Sequence, residues 1–205
     1  MNWEKFQTLE SFDEYGPLLA RGQERFCFVS RKDPFRCVKV SPRDSDVQTI
    51  REIRYFEFLE RRGIKADFLP AYYGSFQNAN FVGFEQECFG AERAEQLIHY
   101  LRRATLPEIE AVERALEPLL QDMIRTNVIV SDLHAANILR VTDNGSVRYV
   151  VIDGYGSPEW IPLPNYCRFF GRRKIQRQWR KFMERWKQLK STLPAVRGLQ
   201  SNSES

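Results

Sequence analysis

The chain has 205 residues, of which 42% are hydrophobic and 13% aromatic, and its formal net charge is +4. This composition can build one large domain or two small lobes, and it excludes a wholly disordered chain. No apolar run approaches the roughly 20 residues that cross a bilayer, and Cys27, Cys37, Cys88 and Cys167 show no CxxC spacing. With no secretory signal pattern, we expect a cytoplasmic protein with reduced thiols, no transmembrane segment and no zinc site.

The first part of the chain has the pattern of a sheet with one helix. Strand-like apolar runs alternate with turn residues such as Pro34, and Gly63 follows a stretch with helical spacing. The predicted order is strand 26–29, strand 36–40, helix 46–62 with Asp46 as its N-cap, strand 71–74 and strand 80–87.

The second part predicts mostly helices around one hairpin. Helices are expected over about 92–103, 107–125 and 171–189, and the turn at Asp143–Gly145 predicts the hairpin. Pro118 is expected to kink or split the second helix. Pro158, Pro162 and Pro164 predict an extended passage. The predicted organisation is an N-lobe of residues 1–89, a reduced helical C-lobe of residues 90–190 and a disordered tail of residues 191–205.

The stretch from Val130 to Asp153 carries the strongest functional signal. An apolar run leads into a loop with Asp132 and Asn137, and a second apolar run ends at Asp153. Phosphoryl transfer needs a carboxylate that orients the attacking hydroxyl, then an amide oxygen and a second carboxylate that hold Mg²⁺. Asp132 is therefore the predicted catalytic residue, and Asn137 and Asp153 are the predicted metal ligands. Asp132 and Asn137 alone would also suit a solvated turn.

Lys39 interrupts an otherwise apolar strand, between Val38 and Val40. In kinases a strand lysine binds the α- and β-phosphates of ATP, and a glutamate from the following helix braces it. Glu52 is the predicted brace and Glu57 is its rival. The alternative is an edge-strand lysine that points to water.

Two further residues give weaker signals. Gly22 lies in a turn where a backbone amide can approach phosphate, although a single glycine also suits an ordinary turn. His134 stands between the predicted catalytic residue and the first metal ligand. It is either a phosphate contact or a structural residue of the loop.

The last helix combines an apolar stripe with a basic surface. From Arg168 to Lys190 there are ten Lys or Arg residues and one acid, Glu184. Residues at steps of three and four predict a stripe that packs on the second lobe, namely Ile175, Trp179, Phe182, Trp186 and Leu189. The basic face over 171–189 is a candidate site for an anionic surface or an acidic protein. Nucleic acid is disfavoured, because no aromatic and basic platform occurs elsewhere.

Several stretches carry a likeness to a known family: Arg36–Val40, Arg51–Phe56, Asn137–Leu139 and Ile161–Pro164. Through them the chain resembles the bacterial YrbL family (PhoP regulatory network protein YrbL-like), of the protein-kinase-like fold superfamily. The resemblance implies an α+β, minimal two-lobed kinase-like fold, with an antiparallel sheet and one helix in the N-lobe and a mostly helical C-lobe. It also implies ATP and Mg²⁺ as cofactors.

The same resemblance implies a role for each candidate residue. Lys39 would pair with Glu52, Asp132 would be the base, and Asn137 with Asp153 would hold Mg²⁺. Leu139 would line the adenine pocket, and the segment Phe84–Phe89 would be the hinge whose backbone bonds the adenine.

Some features depart from the kinase pattern. Val130 and Ser131 stand where His-Arg usually precedes the catalytic aspartate, Gly154 follows the metal aspartate in place of Phe, and no Ala-Pro-Glu signature follows. The predicted function is ATP- and Mg²⁺-dependent transfer of a phosphoryl group to a hydroxyl of a small molecule or a protein. The alternatives are a pseudokinase or regulatory nucleotide-binding module that acts through a partner, and an adaptor that binds no nucleotide.

Overall fold

The computed structural model describes residues 15–22, 25–156 and 163–196. They form an α+β structure that divides into two compact units. The first unit contains the residues up to Ile64 and Pro70–Arg93, and the second contains Lys65–Leu69 and the residues from Ala94 onward.

The described residues of the first unit form an antiparallel sheet and one helix, and the α+β class of the prediction is confirmed. The strands are paired in the order β1-β2-β3-β5-β4, and the helix α1 follows β3 in the chain. The elements are β1 (Tyr15–Arg21), β2 (Phe26–Ser30), β3 (Arg36–Pro42), α1 (Val47–Arg61), β4 (Tyr72–Gln77) and β5 (Phe81–Glu87). The strand β1 was missing from the prediction.

Alternation along β2 and β3 sorts their side chains onto two faces of the sheet. One face carries a buried apolar cluster of Phe26, Phe28, Val38, Val40 and Phe81. Cys27, Cys37 and Lys39 alternate in sequence with these residues and therefore belong to the opposite face. This sheet therefore has one face with an apolar cluster, next to which Arg36 and Glu85 form an ion pair of 3.0 Å, and one face that carries thiols and a cation.

The helix α1 packs on the face that carries Lys39. A hydrogen bond of 2.7 Å joins the hydroxyls of Ser41 in β3 and Thr49 in α1, and the Phe56 ring lies 5.7 Å from the Phe84 ring of β5. The helix ends before Gly63, whose φ of 61° favours glycine, as the sequence predicted.

The second unit combines a small antiparallel sheet with helices. Its strands are paired in the order β6-β7-β8, and the β7–β8 turn has positive φ at both Asn144 and Gly145, which confirms the predicted hairpin. The elements are β6 (Ala94–Gln96), α2 (Leu97–Leu101), α3 (Leu106–Thr126), β7 (Ile138–Asp143), β8 (Ser146–Val151), α4 (Leu163–Tyr166) and α5 (Arg168–Thr192).

One prediction in the middle of the chain was wrong, and for Pro118 only the predicted split is excluded. The expected helix over 92–103 begins instead as the strand β6, because Ala94–Gln96 pair with β7, and only Leu97–Leu101 are helical. Pro118 does not split the expected helix, since α3 continues through it. The helix starts at a capping box formed by Thr105 and Glu108, which stabilises its first turn.

Predictions near the C-terminal end also need correction. Pro164 lies in the short helix α4 rather than in an extended passage, and Pro158 and Pro162 lie outside the described residues. The helix α5 starts earlier than predicted and continues to Thr192, so it enters the expected disordered tail of residues 191–205. Residues 197–205 lie outside the described part of the chain.

The predicted apolar stripe of α5 is confirmed, because Ile175, Phe182 and Trp186 are buried. A carboxylate on α3 fixes the helix in place: Glu113 accepts hydrogen bonds from Trp186 Nε1 at 2.8 Å and from Lys190 Nζ at 2.8 Å. Partial burial opposes the charge of Glu113, but the bonds from Lys190 and Trp186 outweigh it and lower the pKa of this carboxyl. The rotation of α5 about its axis is therefore set by named contacts. Among the described helices, none has the length and apolar character that spanning a bilayer requires.

Candidate functional site

Lys39 lies in an interior strand of the first unit. It pairs with Cys27 of β2 on one side and with Phe84 of β5 on the other, and it is only 7% exposed. Its ammonium group lies 5.8 Å from the centroid of the Phe84 ring. The alternative of an edge-strand lysine that points to water was therefore wrong.

Glu52 is the glutamate of α1 that is buried against the sheet. It is 0% exposed, and its carboxylate accepts a hydrogen bond of 2.7 Å from Arg25 Nη1. A buried carboxylate without a cation would be strongly destabilising. The rival Glu57 lies on a more exposed side, where it accepts a bond of 3.3 Å from Ser75 Oγ. No sequence pattern pointed to Arg25 as a partner.

The bond between Ser41 and Thr49 also relates Lys39 to Glu52. Lys39 and Ser41 are two residues apart on β3 and share a face, and Thr49 and Glu52 are three apart on α1 and share a face. Since Ser41 and Thr49 meet at 2.7 Å, Lys39 and Glu52 project into the same layer between strand and helix. This arrangement fits the predicted Lys39–Glu52 pair.

The thiols of Cys27, Cys37 and Cys88 cluster on the face of Lys39. Hydrogen bonds with Cys27 and Cys88, together with burial, raise the pKa of the Cys37 thiol well above its usual range. The bond with Cys37 lowers the pKa of Cys88 in spite of its burial. The four cysteines, which all lie in described parts of the chain, form no disulfide, and no local spacing pointed to the meeting of three of them.

Two predicted nucleotide contacts of the first unit have structural tasks. The Gly22 amide donates a hydrogen bond of 2.7 Å to the Arg25 carbonyl and closes the β1–β2 turn, so its contact with phosphate stays a prediction. Most of the predicted hinge Phe84–Phe89 belongs to the strand β5, and its contact with adenine stays a prediction. Its first residues belong to β5, which pairs with β3 and β4 on its two sides, and these pairings occupy their backbone groups. Only Cys88 and Phe89 lie beyond the strand.

In the second unit, two segments far apart in sequence are joined through their backbones. The amide of Ser131 donates to the carbonyl of Gly154 at 2.7 Å, and the amide of Gly156 donates to Ile129 at 3.0 Å. A β-bridge between Val130 and Tyr155 lies between these bonds. The segments 129–131 and 154–156, here called the paired segments, therefore hold Asp132 and Asp153 close to each other.

Further bonds bring Asn137 to the same place. Asn137 donates from its side-chain nitrogen to the carbonyl of Asp132 at 3.0 Å. The amide of Ile152 donates to the Asn137 carbonyl at 2.8 Å, and Asp153 Oδ1 accepts the Gly154 amide at 2.7 Å. The predicted catalytic residue and both predicted metal ligands thus lie on one hydrogen-bonded frame.

Gly154 permits the close approach of the paired segments. Its φ is 83°, and a Cβ atom there would lie 3.1 Å from the backbone nitrogen and oxygen of Asp132. The backbone conformation therefore favours glycine, and a Cβ atom would also make a tight contact that Asp132 would have to shift to relieve.

The carboxylate of Asp132 is exposed and has two basic neighbours. His134 Nε2 lies 3.4 Å from Asp132 Oδ2, and Arg185 Nη1 of α5 lies 3.3 Å from Asp132 Oδ1. The side chain of Asp132 is 59% exposed and that of Arg185 is 57% exposed. The sequence could not reveal Arg185 as a neighbour, because 53 residues separate it from Asp132.

The donor set around Asp132 suits magnesium only with help from a ligand. Within the described ranges, no group of three or more His, Cys, Asp and Glu side chains is arranged to hold a metal ion. Asn137 and Asp153 supply an amide oxygen and a carboxylate, and Mg²⁺ is commonly held by one or two carboxylates together with substrate phosphates and water. The residues present therefore fit a cation that arrives with a nucleotide. Leu139 lies half-buried in β7, paired with Val150 and Gln96, and its contact with adenine stays a prediction.

Comparison with known proteins places the chain in a family. The sequence model described as PhoP regulatory network protein YrbL matches residues 14–187. The chain belongs to this family. Among its YrbL relatives are the proteins named "Uncharacterized protein YrbL" from Escherichia coli (strain K12) and Shigella flexneri. Each is 27% identical over 174 residues, which is 80% of this chain and 82% of the relative.

Replacement of Glu52 tests the buried pair. Glu52→Gln should lower the free energy of unfolding by about 2–4 kcal/mol, because it leaves the Arg25 guanidinium buried without a counter-charge. The control Glu57→Gln should change it by no more than about 0.5 kcal/mol. Urea unfolding of both variants checks this, and equal losses would contradict the assignment of Glu52 as the buried partner.

Two glycines with similar backbones test the paired segments. Gly154 and Gly145 have φ values of 83° and 80°, but a Cβ atom at Gly145 would meet nothing within 4 Å. Alanine at either position should lower the free energy of unfolding by about 1–2 kcal/mol, because its Cβ atom disfavours a positive φ. Gly154→Ala should cost more and should speed amide hydrogen exchange over residues 129–132, measured by mass spectrometry. Identical behaviour of the two variants would show that the contact with Asp132 is unimportant.

Proposed function

We propose that the protein is an ATP- and Mg²⁺-dependent phosphotransferase of the protein-kinase-like superfamily, which transfers a phosphoryl group to a hydroxyl of a small molecule or a protein. The observation that carries this proposal is the hydrogen-bonded frame that groups Asp132, Asn137 and Asp153. An exposed carboxylate beside an amide oxygen and a second carboxylate is the donor set that phosphoryl transfer uses.

Each side chain has a role in this proposal. Asp132 accepts the proton of the attacking hydroxyl and orients it, for which its exposed carboxylate is accessible to an acceptor. The side-chain oxygens of Asn137 and Asp153 bind Mg²⁺, which neutralises charge on the phosphates when it is bound. His134 beside Asp132 supplies a ring N–H to a phosphate oxygen or to the Asp132 carboxylate.

The first unit supplies the nucleotide contacts. Lys39 binds the α- and β-phosphates, and Glu52 keeps its ammonium group oriented. The Arg25–Glu52 pair supports this role, because it fixes the Glu52 carboxylate in the layer between β3 and α1. Burial of Lys39 beside the Phe84 ring strengthens its attraction for an anion, since little water screens it.

A regulatory nucleotide-binding module is the second candidate function. The family description, PhoP regulatory network protein YrbL, names a regulatory role for the family and no reaction. Val130 and Ser131, which stand where kinases carry His-Arg, have other tasks: Val130 bridges Tyr155, and the Ser131 hydroxyl donates to the Gly156 carbonyl. A module of this kind would bind ATP through Lys39 and act through a partner without turnover.

Thermal unfolding with ATP, in the presence and absence of Mg²⁺, tests nucleotide and metal binding. The parent should be stabilised by ATP with Mg²⁺, by about 2.7 kcal/mol at 100 times the Kd, and Asp153→Asn should remove the metal-dependent part. Asp143→Asn is the control, because its carboxylate lies at the turn end of the same hairpin. No Mg²⁺-dependent shift in the parent would contradict the enzyme, and no shift with ATP at all would favour the adaptor.

Turnover of Asp132→Ala separates an enzyme from a regulatory module. This variant should keep the shift with ATP and Mg²⁺ but lose about 10²- to 10⁴-fold in rate, the usual contribution of a general base. Transfer of labelled γ-phosphate onto metabolite and lysate panels gives the rate and identifies the acceptor. Retained turnover would remove Asp132 from the mechanism, and a parent that binds ATP without turnover would be a regulatory module.

A further inference from the structure

We propose that the hydroxyl acceptor carries a phosphate group, and that Arg185 and Lys181 of α5 bind this phosphate beside Asp132. This inference rests on the proposed function, since it names the acceptor of the same site. It starts from the contact of 3.3 Å between Arg185 Nη1 and Asp132 Oδ1, which brings the basic helix to the proposed catalytic carboxylate.

Arg185 ends a row of cations on one side of α5. Arg173, Arg177, Lys181 and Arg185 follow one another at intervals of four residues, and all four are exposed. At about 1.5 Å rise per residue the row is about 18 Å long, and residues four apart on a helix are neighbours. An anion bound at Arg185 therefore has Lys181 beside it as a second cation.

Packing fixes the position of this row. Trp186, the next residue after Arg185, is 3% exposed and donates to Glu113 at 2.8 Å. Arg185 consequently lies beside the buried stripe of α5, on the flank that meets Asp132, and Lys181 lies about 40° further around the axis. Other exposed cations of the helix, such as Arg180 and Lys187, lie on the opposite flank. At 100° per residue they are about 140–160° from Arg185 around the helix axis.

The Arg185–Asp132 pair is weak enough to open for a ligand. Both side chains are more than half exposed, and ion pairs between exposed side chains contribute little free energy. The guanidinium group has five N–H donors in a planar fork that matches phosphate oxygens. A phosphate on the acceptor can therefore engage Arg185 while the hydroxyl of the same molecule faces Asp132.

Charge explains why a phosphate needs this row. An anionic acceptor must approach Asp132, whose carboxylate repels it, and Arg185 compensates this repulsion at the point of contact. The segment from Arg168 to Lys190 contains ten Lys or Arg residues and one acidic residue, Glu184. A neutral acceptor would gain nothing from such a surface, whereas a doubly charged phosphate is attracted to it more strongly than a carboxylate.

Binding of three matched probes tests the inference: glycerol 3-phosphate, glycerate and glycerol, measured by calorimetry on the full chain. The parent should bind glycerol 3-phosphate most tightly. Arg185→Ala should weaken this binding by about 10- to 100-fold, the range for a lost hydrogen bond to a charged group. Arg185→Lys should recover part of the loss, because it keeps the charge without the fork.

Arg180→Ala is the matched control, since it removes an exposed arginine of the same helix from the other flank. It should weaken binding less than about twofold, an effect within the range of surface substitutions. An equal loss in Arg180→Ala and Arg185→Ala would reveal a diffuse positive field and overturn the site, as would a parent that binds glycerol as well as glycerol 3-phosphate.

The test of the phosphate site can fail or succeed independently of the test of the proposed function. Probe binding is measured without nucleotide, so it reports on Arg185 even if the protein hydrolyses no ATP. Loss of the site with an intact response to ATP and Mg²⁺ would refute the phosphate-bearing acceptor alone. A parent without that response but with Arg185-dependent probe binding would refute the kinase and retain the anion site.

Discussion

The backbone pairing of residues 129–131 with 154–156 is the constraint on which the candidate site depends. It closes a loop of about two dozen residues and brings the ends of two apolar runs together, so that Asp132 and Asp153 emerge next to each other. Glycine is favoured at position 154, because a Cβ atom there would lie only 3.1 Å from the backbone nitrogen and oxygen of Asp132. The pairing of these two backbone segments thus brings together side-chain oxygens that are far apart in the sequence.

In the first unit the corresponding constraint is a buried charge. Glu52 is completely buried, and burial of a carboxylate is tolerated only when a cation compensates it. Arg25 supplies that cation at 2.7 Å, and the Ser41–Thr49 bond positions the helix on the strand of Lys39. The unit therefore keeps buried polar groups on the face of its sheet that α1 covers, whereas the other face carries the apolar cluster around Phe28 and Val38. A polar face retained in this way fits a surface that binds an anionic ligand.

Local patterns explain which features could be predicted. Alternation in 26–29 and 36–40, the Asn144–Gly145 turn and the stripe through Phe182 are properties of neighbouring residues, so the strands, the hairpin and α5 followed from the sequence. The strand β6 did not, because Ala94–Gln96 become a strand only by pairing with β7. Arg25, Arg185 and the meeting of three thiols likewise depend on contacts between distant segments. Asp132, Asn137 and Asp153 were singled out because their types and order match those that phosphoryl transfer requires. The structure brings them onto one frame, and their roles stay predictions.

Electron paramagnetic resonance of Mn²⁺, which can replace Mg²⁺ at oxygen sites, tests most directly whether the frame around Asp132 holds a cation with a nucleotide. The parent should bind Mn²⁺ tightly only when ATP is present. Asn137→Ala and Asp153→Asn should each weaken that binding, whereas Glu57→Gln should leave it unchanged. If ATP does not promote Mn²⁺ binding, or if neither variant alters it, the two side chains do not form a metal site and the proposed phosphotransferase is contradicted.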